Sequence, residues 1–199
     1  MKRDVRNIWG AALNYRDTAK EVGCAVSTDP IFFLKAGSTL TEENQPIVLP
    51  QFSREIFHEI EVALQFNKKL EIKWAGLALD LTAGDAQGPA IEKSRPWTLI
   101  KSFKNACPVG SFFPIKDLTS LSNVAFGLTI NGEVRQQGNT NQMVSSCSRL
   151  VSYLLEHFPV CPYDIVLTGS VGGVGPLKKG DRLTGYLGNY YKAHWTVAR

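Results

Sequence analysis

The segment His58-Glu59-Ile60-Glu61 constrains this chain more than any other. Across residues 57–66 the even positions are largely apolar and several odd positions are polar, which is the two-residue period of a half-buried strand. The apolar positions are Ile60, Val62, Leu64 and Phe66, and the polar positions are Glu59, Glu61 and Gln65. Two glutamates at i and i+2 therefore project from the same face, with their Cα atoms roughly 6.5–7 Å apart.

Two carboxylates at this spacing repel each other. At an effective dielectric constant near 20 the repulsion is about 2–3 kcal/mol. On an open surface, water and salt screen most of it, and the pair is then simply a solvated strand edge that carries acidic residues. In a concave site the pair requires a cation or a proton. A third carboxylate nearby would favour a cation site over a solvated strand edge.

Asp80 is the candidate for that third group. Residues 74–81 are apolar apart from Asp80, which predicts a buried strand. A buried charge is costly unless it is paired or bound to a metal, so Asp80 is either a satisfied structural hydrogen-bonding group or a ligand. A third carboxylate would complete an all-oxygen shell suited to Mg²⁺ or Mn²⁺.

Length and charge limit the class of protein. A chain of 199 residues can bury one substantial core but is short for two domains, so we expect a single domain over residues 1–199. The net charge of +4 is modest, and the densest basic cluster, Lys178-Lys179 with Arg182, is too small for a nucleic-acid surface. No apolar run approaches the roughly 20 residues of a membrane helix, and the N-terminus does not resemble a signal peptide.

The cysteines indicate a reducing compartment. All four are widely spaced and form no CxxC pair, so a disulfide framework or a zinc site is not expected. We therefore predict a cytoplasmic protein.

Periodicity and turn residues predict a β-rich α+β protein with few helices. A strand at residues 8–13 leads into one or two helical turns closed by Gly23, and residues 30–35 form a strand buried on both faces. Asn131-Gly132 marks a type I′ hairpin within residues 124–136. Helical spacing over residues 143–158 gives the clearest amphipathic helix. Further strands are predicted at residues 164–168, 182–187 and 192–197.

Two other signals leave alternatives open. The glycine-rich residues 169–176 lack the Gly-Lys-Ser/Thr of a phosphate loop, and indicate either a tight loop whose amides approach a ligand or a simple connection between strands. Lys101 is either a clamp for a substrate or a solvated surface group.

The order of these motifs resembles the fumarylacetoacetate hydrolase family, in particular its short single-domain branch of acylpyruvases and oxaloacetate decarboxylases or tautomerases. The matching segments cover nearly the whole chain in family order. They are Asn14-Tyr15, Pro30-Ile31-Phe32-Phe33-Leu34-Lys35, His58-Glu59-Ile60-Glu61, Leu79-Asp80-Leu81-Thr82, Asp85-Ala86-Gln87, Pro96-Trp97-Thr98, Lys101-Ser102-Phe103, Cys107-Pro108, Asn131-Gly132-Glu133, and Thr168-Gly169 through Gly175-Pro176.

The resemblance implies a mixed β-sandwich and β-roll fold, a homodimer, and a site for Mg²⁺ or Mn²⁺ formed by Glu59, Glu61 and Asp80. It also implies a small 2-oxo or 1,3-dicarbonyl acid, or a dicarboxylate, as substrate. The metal would stabilise an enolate during tautomerisation, decarboxylation or C–C bond hydrolysis. By the same resemblance Lys101 and Gln87 would bind the substrate, and Thr168 with the glycine-rich loop would close over its far side.

The chain departs from the family pattern in the loop Gly169-Ser170-Val171, in a shorter connection between Glu61 and Asp80, and at two positions that bear on the chemistry. The family activates water with a His and a Glu three residues later; Glu21 occupies the second position and is the catalytic candidate, but Thr18 occupies the first. Threonine cannot act as a base near neutral pH, so enolate chemistry is favoured over hydrolysis. Gly84 also stands where the family usually has an arginine that contacts substrate. The alternative is a paralogue that binds metal or a small dicarboxylate with little turnover.

Overall fold

The computed structural model describes residues 4–21, 23, 25 and 27–198, and within this part the chain forms fifteen strands and four α-helices. The strands are β1 (Asn7–Ala12), β2 (Ile31–Ala36), β3 (Leu40–Glu42), β4 (Ile56–His58), β5 (Ile60–Phe66), β6 (Ile72–Leu79), β7 (Thr82–Ala83), β8 (Cys107–Val109), β9 (Phe113–Pro114), β10 (Ala125–Ile130), β11 (Glu133–Asn139), β12 (Ile165–Ser170), β13 (Gly175–Pro176), β14 (Arg182–Leu187) and β15 (Tyr191–Thr196). The helices are α1 (Arg16–Glu21), α2 (Gly84–Glu92), α3 (Thr98–Lys101) and α4 (Cys147–His157).

The largest sheet is mixed and curls into a roll. Its strand order is β2-β1-β12-β5-β6-β8-β3, with β9 added beside β6. The pairs β1/β12 and β3/β8 are parallel, and the other pairs are antiparallel. Strands β2 and β3 lie at opposite ends of this order, yet only Gly37–Thr39 joins them along the chain. Because so few residues span at most roughly 14 Å, the two edges of the sheet are forced close together.

An antiparallel sheet with the order β11-β10-β14-β15 packs against one face of the roll. The even-numbered side chains of β5 share the main hydrophobic cluster with Leu128 and Leu183 from this second sheet. The opposite face of β5 turns into the roll, where Ala63 belongs to a smaller cluster of mostly small or aliphatic residues. The members of that cluster are Ile8, Ala63, Ala78, Cys107, Val109, Ile165 and Leu167.

The prediction of one half-buried strand over residues 57–66 is wrong in two respects. Every residue of β5 is buried, because the second sheet covers one face and the roll encloses the other. The segment is also two strands, since β4 leaves the large sheet and pairs with β7 and β13 in a separate three-stranded sheet. Glu59 is the single residue between β4 and β5.

Burial corrects a second strand prediction. Residues 30–35 were expected to be buried on both faces, but Ile31 and Leu34 of β2 are 43% and 46% exposed. The reason is that β2 is the edge strand of the roll. Lys35 of the same strand is fully buried.

Several other predictions are confirmed. Asn131 and Gly132 both have positive φ, 54° and 87°, as a type I′ turn between β10 and β11 requires. Gly23 also has positive φ, 68°, just beyond α1. The long amphipathic helix begins four residues later than its apolar pattern, because Ser146 caps it through a bond from Arg149 N to Ser146 Oγ at 3.3 Å. Helices α2 and α3 and the two-residue strands were not predicted.

The β-rich architecture with few helices is the fold that the resemblance implied. None of the helices described is long and apolar enough to cross a membrane.

A buried carboxylate joins the start of the chain to β12. Asp164 accepts hydrogen bonds from Asn7 N and Nδ2 at 2.9 and 3.0 Å, from Trp9 Nε1 at 2.9 Å and from Cys161 N at 2.9 Å. Four donors satisfy its two oxygens. Asp164 therefore fixes the register of the parallel pair β1/β12, on which the roll is built.

We predict that Asp164→Ala lowers the free energy of unfolding by about 3 kcal/mol or more, because buried donors lose a charged acceptor. Urea denaturation measures the difference. The matched control is Asp29→Ala, which removes only an exposed ion pair to Arg149 and is expected to change stability by less than about 1 kcal/mol. Equal effects of the two substitutions would contradict the prediction.

Candidate metal and substrate site

Strand pairing brings the three predicted carboxylates together at the mouth of the roll. In the antiparallel pair β5/β6, Glu61 lies opposite Ala78, and Asp80 follows the last residue of β6. Asp80 N donates to Glu59 O at 2.9 Å. One oxygen each from Glu59, Glu61 and Asp80 lies within 4.8 Å of the other two.

The burial of the carboxylates excludes a solvated strand edge. Glu61 is 1% exposed and Asp80 is 0% exposed, whereas Glu59 is partly open to solvent. Glu61 points into the roll, and Gly169 N donates to its Oε2 at 2.5 Å. Burial raises the pKa of Glu61 well above its usual range, and the nearby charges of Asp80 and Glu59 raise it further.

Two buried lysines hold the two oxygens of Asp80. Lys35 Nζ lies 2.6 Å from Asp80 Oδ1 and donates to the carbonyl oxygens of Leu81, Lys101 and Ala106. Lys101 Nζ lies 2.5 Å from Asp80 Oδ2. Asp80 is thus a paired charge as well as a candidate ligand.

Lys101 also connects Asp80 to Glu59. Its Nζ lies 3.0 Å from Glu59 Oε1 and 2.7 Å from Thr82 Oγ1, and the Thr82 hydroxyl donates to Glu59 Oε1 at 2.6 Å. Burial acts to lower the pKa of Lys101, but Asp80 and Glu59 together outweigh it, and the pKa is raised. Lys101 is therefore a fixed cation inside the site and not a solvated surface group.

The donor set fits a divalent metal ion. Three carboxylates face two ammonium groups, and among the residues described Glu61 has no ion-pair partner. When Glu61 is ionised, the site therefore carries excess negative charge in a buried position, which a cation would neutralise. Carboxylate oxygens are the ligands that Mg²⁺ and Mn²⁺ both prefer.

The remaining predicted residues lie on three different elements. Gln87 is half-buried on α2, which follows β7 and its Thr82 directly. Thr168 is buried in β12, where its hydroxyl donates to Val62 O at 2.9 Å. Glu21 is the last residue of α1, and its side chain lies outside the described part of the structure. The roles of Gln87, Thr168 and Glu21 in binding or catalysis stay predictions.

The two departures that bear on the chemistry have structural counterparts. The Thr18 hydroxyl donates to Ser170 O at 2.6 Å, which ties α1 to the end of β12, where Ser170 pairs with Glu61. At Gly84, an added Cβ would lie 2.5 Å from the Phe57 ring. Phe57 therefore fills the space that a side chain at position 84 would need.

Sequence reasoning missed three contributors to the site. The contact of Lys35 with Asp80 was not predicted, although a lone lysine at the end of an apolar run is a signal for a buried ion pair. Asn14 had no assigned role; its side chain donates to Thr168 O and Ser145 O and accepts from Ser145 N. Thr82 was likewise given no contact with Glu59.

Taken together, the fold and the site define a mixed β-roll with an acidic, lysine-supported candidate metal site at its mouth. Residues 7–193 match the family model described as fumarylacetoacetate hydrolase C-terminal. The chain belongs to the fumarylacetoacetate hydrolase family.

Relatives with assigned activities cover most of the chain. It is 37% identical over 182 residues to an oxaloacetate tautomerase of Escherichia coli, covering 86% of this chain and 83% of that protein. It is 37% identical over 186 residues to a mitochondrial oxaloacetate decarboxylase of Dictyostelium discoideum, covering 88% and 85%. Its structure is similar to the crystal structure of fumarylpyruvate hydrolase from Pseudomonas aeruginosa in complex with Mn²⁺ and pyruvate, with a TM-score of 0.90, 25% identity and coverage of 99% and 93%.

The raised pKa of Glu61 predicts how the stability of the metal-free protein depends on pH. Because the folded protein binds a proton at Glu61 more tightly than the unfolded chain does, this residue reduces stability as pH rises from the usual glutamate pKa through the raised value. Glu61→Gln removes that contribution. We expect the variant to lose less stability than wild type as pH rises above the usual glutamate pKa.

Urea denaturation in the presence of a chelator measures the effect, with the exposed Glu55→Gln as the matched control. Parallel stability curves for wild type and Glu61→Gln would contradict the assignment.

Proposed function

We propose that this protein is a divalent-metal-dependent enzyme that tautomerises or decarboxylates a small 2-oxo acid of the oxaloacetate type. The observation that carries the proposal is the cluster of Glu59, Glu61 and Asp80, whose oxygens lie within 4.8 Å of one another beside the fixed Lys101 cation. The named activities of the E. coli and Dictyostelium relatives, and the Mn²⁺ and pyruvate in the Pseudomonas structure, support it.

Glu59, Glu61 and Asp80 would hold the ion, and Lys101 and Gln87 would bind the substrate. When bound, Mg²⁺ or Mn²⁺ supplies Lewis acidity that stabilises the negative charge developing on an oxo oxygen as an enolate forms. Lys101 keeps its proton because its pKa is raised, so it acts through its charge on the substrate carboxylate and does not serve as a base. The chain therefore provides a preorganised electrostatic site.

Proton transfer is assigned to Glu21, the acidic position that the chain retains from the family dyad. Lys35 is unsuited to it, because its ammonium group is fully buried and contacts four oxygens. Its position supports a different role, that of holding Asp80 in place.

Thr18 favours enolate chemistry over hydrolysis. Hydrolysis needs a general base to activate water, and the Thr18 hydroxyl instead donates to the Ser170 carbonyl. Tautomerisation and decarboxylation need no activated water.

A homodimer and a cytoplasmic location, both expected from the sequence, remain parts of this proposal. The exposed Ile31 and Leu34 on edge strand β2 support a subunit contact.

The second candidate is a paralogue that binds metal or a small dicarboxylate with little turnover. Two observations favour it: Thr18 replaces the base, and Phe57 fills the space beside Gly84 that a substrate-binding arginine would need. Its metal site would be the same, so only turnover separates the two candidates.

We expect purified protein with Mg²⁺ or Mn²⁺ to accelerate the enol–keto conversion or the decarboxylation of oxaloacetate, followed by ultraviolet absorbance. Glu59→Gln is expected to reduce the rate by about 100-fold or more, because the ion loses a ligand and Lys101 loses a partner. Glu55→Gln, four residues earlier and exposed, is the matched control. Tight metal binding without turnover would favour the paralogue, and no metal binding would refute the proposal.

Restoring the base is expected to change the reaction. Thr18→His places an imidazole three residues before Glu21, so acylpyruvate hydrolysis should appear or rise by roughly 10²-fold or more, within the range that general bases contribute. Steady-state kinetics with an acylpyruvate measures it, and Thr18→Val controls for loss of the bond to Ser170. Equal hydrolysis by wild type and both variants would show that position 18 plays no part in activating water.

A further inference from the structure

The residue between the two glutamates is held by side chains from two other strands. Ile60 N donates to Gln136 Oε1 at 3.0 Å, and Ile60 O accepts from Ser170 Oγ at 3.0 Å. The pairing of β12 with β5 is irregular between Leu167 and Ser170, so at this point side chains supplement the ladder between the strands. The peptide groups that carry Glu59 and Glu61 are thus fixed from outside their own strand.

All the hydrogen-bonding capacity of the Gln136 amide is used. Its Oε1 contacts Ile60 N and His58 Nδ1, the latter at 2.9 Å, and its Nε2 donates to Ser170 Oγ at 2.9 Å and Val171 O at 2.7 Å. An amide has two acceptor and two donor sites, so this orientation is the one that satisfies every partner. In this orientation the Gln136 amide oxygen accepts from Ile60 N and also contacts His58 Nδ1. Because that oxygen can only accept, His58 must carry a proton on Nδ1 and donate it.

Gln136 is unusual for its strand. It is 1% exposed and is the one fully buried side chain of β11, whose other residues are exposed or half-buried. Strand β11 is the edge of the second sheet, so this one side chain reaches from that sheet into the roll. A buried polar side chain that contacts residues 58, 60, 170 and 171 specifies one arrangement of the segment.

We propose that Gln136 is a positioning residue for the metal site, which sets the spacing of the Glu59 and Glu61 carboxylates by fixing the segment His58–Ile60 against Ser170. Gln136 itself touches neither carboxylate and binds no ligand. The inference rests on the proposed function in one respect, that the three carboxylates bind a divalent ion. Groups that orient metal ligands in this way typically contribute 10–100-fold to metal affinity.

The test compares neighbouring glutamines on the same strand. Gln136→Met keeps the approximate length of the side chain and removes all four polar contacts, whereas Gln137→Met changes an exposed side chain. Isothermal titration calorimetry measures the Kd for Mn²⁺ at a temperature where circular dichroism shows each variant folded. We expect Gln136→Met to weaken Mn²⁺ binding by about 10–100-fold and Gln137→Met to leave it unchanged.

A purely structural role gives a different result. If Gln136 only stabilises the fold, Gln136→Met lowers the Tm but leaves the Kd of the folded protein for Mn²⁺ within about twofold of wild type, and that result overturns the proposal. If Gln136→Met does not fold, Ser170→Ala tests the same segment, because it removes the bond to Ile60 O. Weaker Mn²⁺ binding by Ser170→Ala then supports the proposal, and an unchanged Kd overturns it.

A double substitution checks whether the two side chains act on one element. Since Gln136 and Ser170 hold opposite sides of Ile60 and bond to each other, their effects on Mn²⁺ affinity should be less than additive. Additive effects would overturn the idea of a shared segment. If wild type binds no Mn²⁺, the proposed function and this inference are both overturned. Mn²⁺ binding by wild type without oxo-acid turnover counts against the proposed function alone, because the ratio of the Kd values of variant and wild type still tests the role of Gln136.

Discussion

The pairing of Asp80 with Lys35 and Lys101 is the interaction on which the rest of the site depends. A carboxylate that is fully removed from water is costly unless charges and hydrogen bonds surround it, and here each oxygen has its own ammonium group. The lysines come from β2 and α3, so the pair also joins the edge of the roll to its mouth. Glu59 and Glu61 are then placed relative to Asp80 by the β5/β6 ladder.

The large sheet explains why these charges are tolerated inside it. Closure through Gly37–Thr39 gives the roll an interior, and the interior beside Glu61 is filled by small or aliphatic side chains such as Ala63 and Ala78. The polar groups collect at one end, where Gly169 N and Thr82 Oγ1 supply donors to the carboxylates. The same geometry that buries the acids therefore also brings hydrogen-bond donors to Glu61 and Glu59.

The sequence predicted the carboxylate trio and most long elements, because those depend on local patterns: alternation around Ile60, the Asn131-Gly132 turn and the helical spacing of Leu150 and Leu154. It did not predict that the strand is interrupted at Glu59, between β4 and β5, or that β2 is exposed. Both features depend on which strands become neighbours. The role of Gln136 was also missed. A glutamine on an exposed strand carries no periodic signal, and only the second sheet's position shows that it reaches the roll.

The contact between Phe57 and Gly84 couples the side chains that these two positions can carry. A side chain introduced at position 84 meets the phenyl ring at once, with its first carbon 2.5 Å from the ring. Any side chain larger than glycine at position 84 therefore requires the Phe57 ring to move or to be replaced by a smaller residue. The two positions are coupled, so substitutions at 84 and 57 are expected to have non-additive effects on stability.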